Sequence, residues 1–325
     1  MLHILYFDVN TFESLRSQLA DNLWLSLFFS LFLYTLGIVV LLPVAGIIIT
    51  LLYGISFSEL TQILSGNLNA HSQGVAIFRL IQAVSQVVTW GLAGGVMLWM
   101  IRLFPQVLGL SRPVSLFLAI FPIAIIFSSI PLVQAIHISP EWSFWPSSML
   151  GLLKDWAAVE QTSQKYLMEI LGEQAMGKLL LNLLIFALLP AFCEELFFRG
   201  FLQKKLSETM RPQMAIFVAA FIFSFAHFQF LSFFSRLLLG WLLGYCFHIS
   251  GRLWLSILAH FGYNAATILL VYYSAKTGGT IFTDITETTD INWQLVVLST
   301  GVTVLLLWIF TKLNQPLESQ KITHE

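Results

Sequence analysis

Charge is what this chain has least of. Asp, Glu, Lys and Arg make up 10% of its 325 residues, against about a quarter in a typical soluble domain. Apolar residues make up 57%, and the mean hydropathy is +0.81. A soluble globular domain is excluded on this ground, and an all-α, polytopic membrane protein is expected. The net charge of -1 and the lack of any Lys/Arg-rich block argue against a nucleic-acid partner. The expected surroundings are a lipid bilayer. There are two cysteines, Cys193 and Cys246, each inside an apolar run, which gives neither a disulfide framework nor a cysteine metal site. The N-terminal stretch has no basic leader and no small-residue cleavage site, so it does not read as a signal peptide. Gly-x-Ser-x-Gly, His-Glu-x-x-His and aspartate pairs within the spans are also missing, which removes several nucleophile and zinc plans. No internal repeat or low-complexity tract stands out.

What is present is a series of long apolar runs. About eight transmembrane spans are expected, beginning near 23–53, 75–104, 114–136, 179–201, 214–230, 233–249, 253–273 and 293–310. The chain divides into an N-terminal interfacial segment (1–22), a three-span region (23–136), a polar loop (137–178), a four-span core (179–273) and a loop, last span and tail (274–325). Residues 1–22 suit either a helix lying on the membrane surface or a cap on the bundle. The loop 137–178 places Trp142 and Trp145 at an expected interface and has room for amphipathic helix. Lys204, Lys205 and Arg211 mark one loop as cytoplasmic, while 54–74 carries no Lys or Arg. This charge placement predicts a plasma-membrane protein with both termini cytoplasmic, although the three lysines of 137–178 then face outward.

Ionisable groups inside such runs are costly and mark function, pairing or a wet cavity. The fourth run ends in Cys193-Glu194-Glu195-Leu196-Phe197-Phe198-Arg199-Gly200. Glu195 and Arg199, four apart, share a helix face in the favourable order. Glu194 points about 100° away and is left free of that arginine. His227 follows on the fifth run, and His260 and Asn264 lie four apart on the seventh. Taken singly, these are a structural ion pair, a snorkelling carboxylate and helix-packing hydrogen bonds. Together, polar groups on three otherwise apolar spans imply one shared pocket. A depth count fits imperfectly: His227 lies about 24 Å from Arg211 along a helix, while Glu194 lies about 15 Å from Lys204.

A carboxylate beside a histidine can activate water, and a histidine and an amide can stabilise an oxyanion. Two Glu and two His also suit a divalent ion such as zinc. A transporter or proton relay is a further reading of the same titratable groups.

The order Glu194-Glu195-x-x-x-Arg199, Phe223-x-x-x-His227, His260-x-x-x-Asn264, each on its own apolar run, resembles the CPBP intramembrane proteases, also called the CAAX protease and bacteriocin-processing or Abi family. The resemblance covers about residues 179–273. It implies an all-helical bundle with a catalytic cavity, Glu194 and His227 activating water, His260 and Asn264 stabilising the oxyanion, and Glu195 and Arg199 in support. The implied partner is a peptide or membrane-protein substrate. The family has been described both as metalloproteases and as metal-free glutamate enzymes, so zinc or another divalent ion and a metal-free mechanism both stand. Its members also include self-immunity proteins and regulatory partners without demonstrated cleavage, so a non-catalytic scaffold is the main alternative.

Overall fold

The computed structural model describes residues 9–103, 109, 116–138, 146–278 and 291–314, and among them every regular element is helical. In chain order these are α1 Val9–Asp21, α2 Leu23–Tyr53, the short α3 Phe57–Leu64, α4 Gly74–Met100, α5 Leu116–Ala135, α6 Ser147–Leu171, α7 Met176–Leu206, α8 Pro212–Phe225, α9 Phe233–Ser250, α10 Leu253–Thr277 and α11 Trp293–Asn314. Seven of them, α2, α4, α5, α7, α9, α10 and α11, are long and apolar enough to cross a membrane. The expected fifth span is the apolar but shorter α8, with 14 residues. Trp142 and Trp145, placed at the expected interface, lie outside the described residues.

Two of the long helices widen where proline dictates. Pro43 and Pro190 lack the N–H that residues four earlier would use. Val39 and Phe186, the carbonyls so deprived, lie inside π-helical stretches at Gly37–Leu41 and Leu183–Leu188. Wider turns let carbonyls bond five residues ahead, so the helix continues without a break.

Small residues set how closely the helices approach α7. A methyl group added at Gly94 of α4 would lie 2.9 Å from the Phe197 backbone nitrogen of α7. Backbone cannot swing aside as a side chain can, so Gly94→Ala is expected to destabilise the fold by about 1–3 kcal/mol. A lowered midpoint of thermal unfolding in detergent is the check. On the other side of α7, α8 and α9 run antiparallel in close contact. Gly240 of α9 faces Ala220 and Phe223 of α8, and Gly244 faces Ile216, the small-xxx-small spacing that membrane helices use to approach.

The N-terminal helix α1 docks on the bundle as a cap. Leu19 is fully buried, Arg16 donates to the carbonyls of Met100 and Trp99, and Lys205 of α7 donates to the Ala20 carbonyl. The polar stretch 137–178 does hold amphipathic helix. Its α6 buries Leu153, Glu160, Ile170 and Leu171 and leaves most of its length exposed.

Candidate active site

The motif sits where α7 changes pitch. Glu194 and Glu195 end the α-helical run Leu189–Glu195, and Arg199 and Gln203 lie in the π-helical run Leu196–Gln203 that follows. Arg199 Nη1 donates to Glu195 Oε1 at 2.6 Å, with both side chains essentially out of reach of solvent, at 1% and 0% exposed. Its Nη2 donates to the Gly240 carbonyl at 2.9 Å, and its guanidinium lies 4.8 Å from the centre of the Phe223 ring. One turn on, Gln203 Nε2 donates to the Gly244 carbonyl at 2.9 Å. Two α7 side chains four apart thus grip two α9 carbonyls four apart. Both carbonyls belong to glycines, which have no side chain to hold the helices away.

Glu195 Oε1 is shared. His260 Nδ1 of α10 lies 2.9 Å from it. An ionised carboxylate only accepts, so this ring nitrogen carries the proton. His260 Nε2 lies 3.9 Å from Glu194 Oε2, beyond hydrogen-bond reach. Arg199, Glu195 and His260 thus form a continuous hydrogen-bonded series, and Glu194 lies beside its His260 end with its carboxylate uncommitted. Glu194 is 4% exposed.

His227 is not on a helix. The α-helical run of α8 stops at Phe225, and the chain turns so that His227 Nδ1 donates back to the Phe223 carbonyl at 2.7 Å. This correction to the expected fifth span, 214–230, closes most of the depth mismatch. The ring returns to the level of Phe223, twelve residues from Arg211 or about 18 Å, against about 15 Å for Glu194 from Lys204. Phe223 itself lies between the groups. Its ring meets that of His227 edge-on at 4.8 Å and that of His260 at 6.1 Å.

A cavity of about 100 Å³ opens beside Phe223, lined by His227, Arg236, His260, Tyr263 and Asn264. It is large enough to admit water. It brings together three residues singled out in the sequence, His227, His260 and Asn264. Glu194 lies beside this group, 3.9 Å from His260 Nε2, and among the described residues no hydrogen bond links it to His260 or His227. Glu195 and Arg199 lie behind, holding His260 and α9.

Arg236 and Tyr263 were not anticipated. Tyr263 is uncharged and gave no signal. Arg236 did: it lies three residues inside the apolar run Phe233–Ser250, and the rule that singled out Glu194 applies to it equally.

The fit of a metal depends on the donors. Glu195 is committed to Arg199 and His260 through Oε1, and its Oε2 is buried without a protein partner. Among the described residues no three His, Cys, Asp or Glu side chains converge closely enough to hold an ion. The arrangement therefore does not fit a three-ligand zinc site.

The comparison with known families bears on the same segment. Residues 176–266 match the family model of type II CAAX prenyl endopeptidase, Rce1-like. The matched segment begins with α7, ends within α10 and contains all six residues singled out in the sequence. It coincides closely with the expected 179–273 and supports a CAAX-type intramembrane endopeptidase as the general class. No curated protein and no solved structure gives a significant match.

Proposed function

We propose that this protein hydrolyses a peptide bond within or beside the membrane, with Glu194 as the base that takes a proton from the attacking water. The observation that carries this reading is the committed state of its neighbours. Glu195 is held by Arg199 and His260, so Glu194 is the carboxylate of the pair left to accept a proton. His227, fixed through Nδ1 to the Phe223 carbonyl, leaves Nε2 to accept from a water in the cavity it lines.

His260 and Asn264 line the same cavity from one face of α10 and serve the oxyanion. Asn264 donates through its amide. His260 donates from Nε2 only when both ring nitrogens are protonated, as its Nδ1 proton is held by Glu195. Arg236 adds a cation to the cavity wall, where a developing negative charge is welcome. The membrane is the cell membrane with both termini cytoplasmic, an orientation that requires the short α8 to count as a crossing. The substrate is a peptide or membrane protein that reaches the cavity from the lipid or the cytoplasm.

Asn264→Ala is the variant that tests the oxyanion role. It removes one donor and is expected to lower kcat about 10²- to 10³-fold with little change in KM. Purified protein in lipid discs, with products of a peptide set read by mass spectrometry, provides the measurement. A loss confined to KM would move Asn264 to substrate binding.

A further inference from the structure

The segment matched by the family model does not contain every residue on which its site depends. The seven residues 226–232 join α8 to α9 and carry His227. They begin under strain. Phe228, next to His227, has φ of 52°, the left-handed region that costs a side chain other than glycine about 1–2 kcal/mol. Phe228 is 66% exposed and its ring meets that of Phe225 obliquely at 5.9 Å, too little packing to account for the conformation. Such a conformation persists only where the surroundings over-determine it.

Arg236 donates to Gln229 within the matched segment, and a further restraint on the turn comes from outside that segment. Glu160 of α6 is 5% exposed. One of its carboxylate oxygens accepts the Leu231 backbone N–H at 2.9 Å, and the other accepts the Ser232 hydroxyl at 2.7 Å. One turn earlier on α6, Trp156 stacks obliquely on Phe230 with ring centres 4.8 Å apart. Leu231 and Ser232 immediately precede α9, where backbone donors lack intrahelical partners and a carboxylate is favoured by the helix dipole. The same α9 places Arg236 in the cavity wall and offers Gly240 to Arg199. One carboxylate therefore holds the turn bearing His227 on one side and the start of the Arg236 helix on the other.

We infer that Glu160 is a positioning residue for the proposed hydrolysis, and that α6 is a clasp holding His227 and Arg236 in register with His260. The inference rests on the protease reading for its catalytic consequence. The clasp itself is a structural claim and is tested separately.

In lipid discs, Glu160→Ala is expected to raise amide hydrogen exchange across 227–232, while exchange in α7 and α10 stays as in the wild type. With peptide substrate it is expected to lower kcat about 100-fold, the cost of displacing a catalytic group by about 1 Å, with KM little changed. Glu160→Gln keeps an acceptor oxygen and should retain an intermediate rate. The diagnostic variant is Phe228→Gly in the Glu160→Ala background. Glycine takes the left-handed conformation without cost, so the turn no longer needs its restraint and part of the lost kcat should return. A Glu160 needed only for stability would give losses that add.

Unchanged exchange at 227–232 in Glu160→Ala overturns the clasp, whatever the activity. Raised exchange with wild-type kcat, or a Phe228→Gly change that rescues nothing, overturns the positioning role. A wild type that cleaves no better than Glu194→Gln overturns the protease reading instead, and with it the catalytic consequence, while the exchange result still decides the clasp.

Discussion

Glu194→Gln is expected to lower kcat by about 10²- to 10⁴-fold, the range a positioned general base supplies, while the protein folds and inserts as before. Glutamine matches glutamate in shape and keeps one acceptor oxygen, but it cannot take the proton of a water. The packing argument for an intact fold is specific. Arg199, Glu195, His260 and the Gly240 carbonyl bond to one another and not to Glu194. The change removes a charge from a buried position and leaves no cation there without its partner. A variant with normal gel-filtration behaviour and a normal unfolding midpoint, yet little turnover, is the expected result. A scaffold or self-immunity protein would show no dependence of its phenotype on this side chain.

The opposite division holds for Arg199→Met. This change leaves Glu195, at 0% exposure, without its cation, and breaking one partner of a buried pair costs about 3–5 kcal/mol. The bond to the Gly240 carbonyl and the contact with the Phe223 ring are lost with it. The expected result is poor recovery from the membrane and a markedly lower unfolding midpoint, with activity lost through the fold. Arg199→Lys is not expected to rescue it, since a single ammonium cannot meet a carboxylate, a carbonyl and an aromatic face at once. The double change Arg199→Met with Glu195→Gln should regain part of the stability, because it removes the stranded charge. If Arg199→Met behaves as wild type in unfolding, the pair is not what holds α7 to α9.

The sequence was most legible where spacing alone fixes geometry. A four-residue interval on a helix sufficed for the Glu195 to Arg199 pair and for the shared face of His260 and Asn264. The long apolar runs gave the bundle, with α8 shorter than expected because the chain turns after Phe225. The neighbour of Glu194 was not legible. That it approaches His260 follows from how α7 and α10 cross, and the π-helical run after Glu195 alters the rotation that a regular helix would give. The placement of His227 depends on a turn back to the Phe223 carbonyl and on a left-handed Phe228, neither of which has a local signal such as glycine. Glu160 lies in the stretch 137–178, whose sequence reads as a polar loop with room for amphipathic helix. Only the tertiary fold shows that this carboxylate is buried against Leu231 and Ser232. Arg236, in contrast, was visible in its apolar run to the same argument that found Glu194.

The central claim is that a water activated at Glu194 cleaves a peptide bond. The most direct measurement is the rate at which a membrane-anchored peptide yields a new amino terminus, read by mass spectrometry. It compares equal amounts of folded wild type and Glu194→Gln in lipid discs, each with and without chelator. The account predicts cleavage by the wild type, survival of that cleavage in chelator, and loss of about 10²-fold or more in Glu194→Gln. Equal turnover by the two proteins would contradict it, and cleavage abolished by chelator and restored by a divalent ion would contradict its metal-free form.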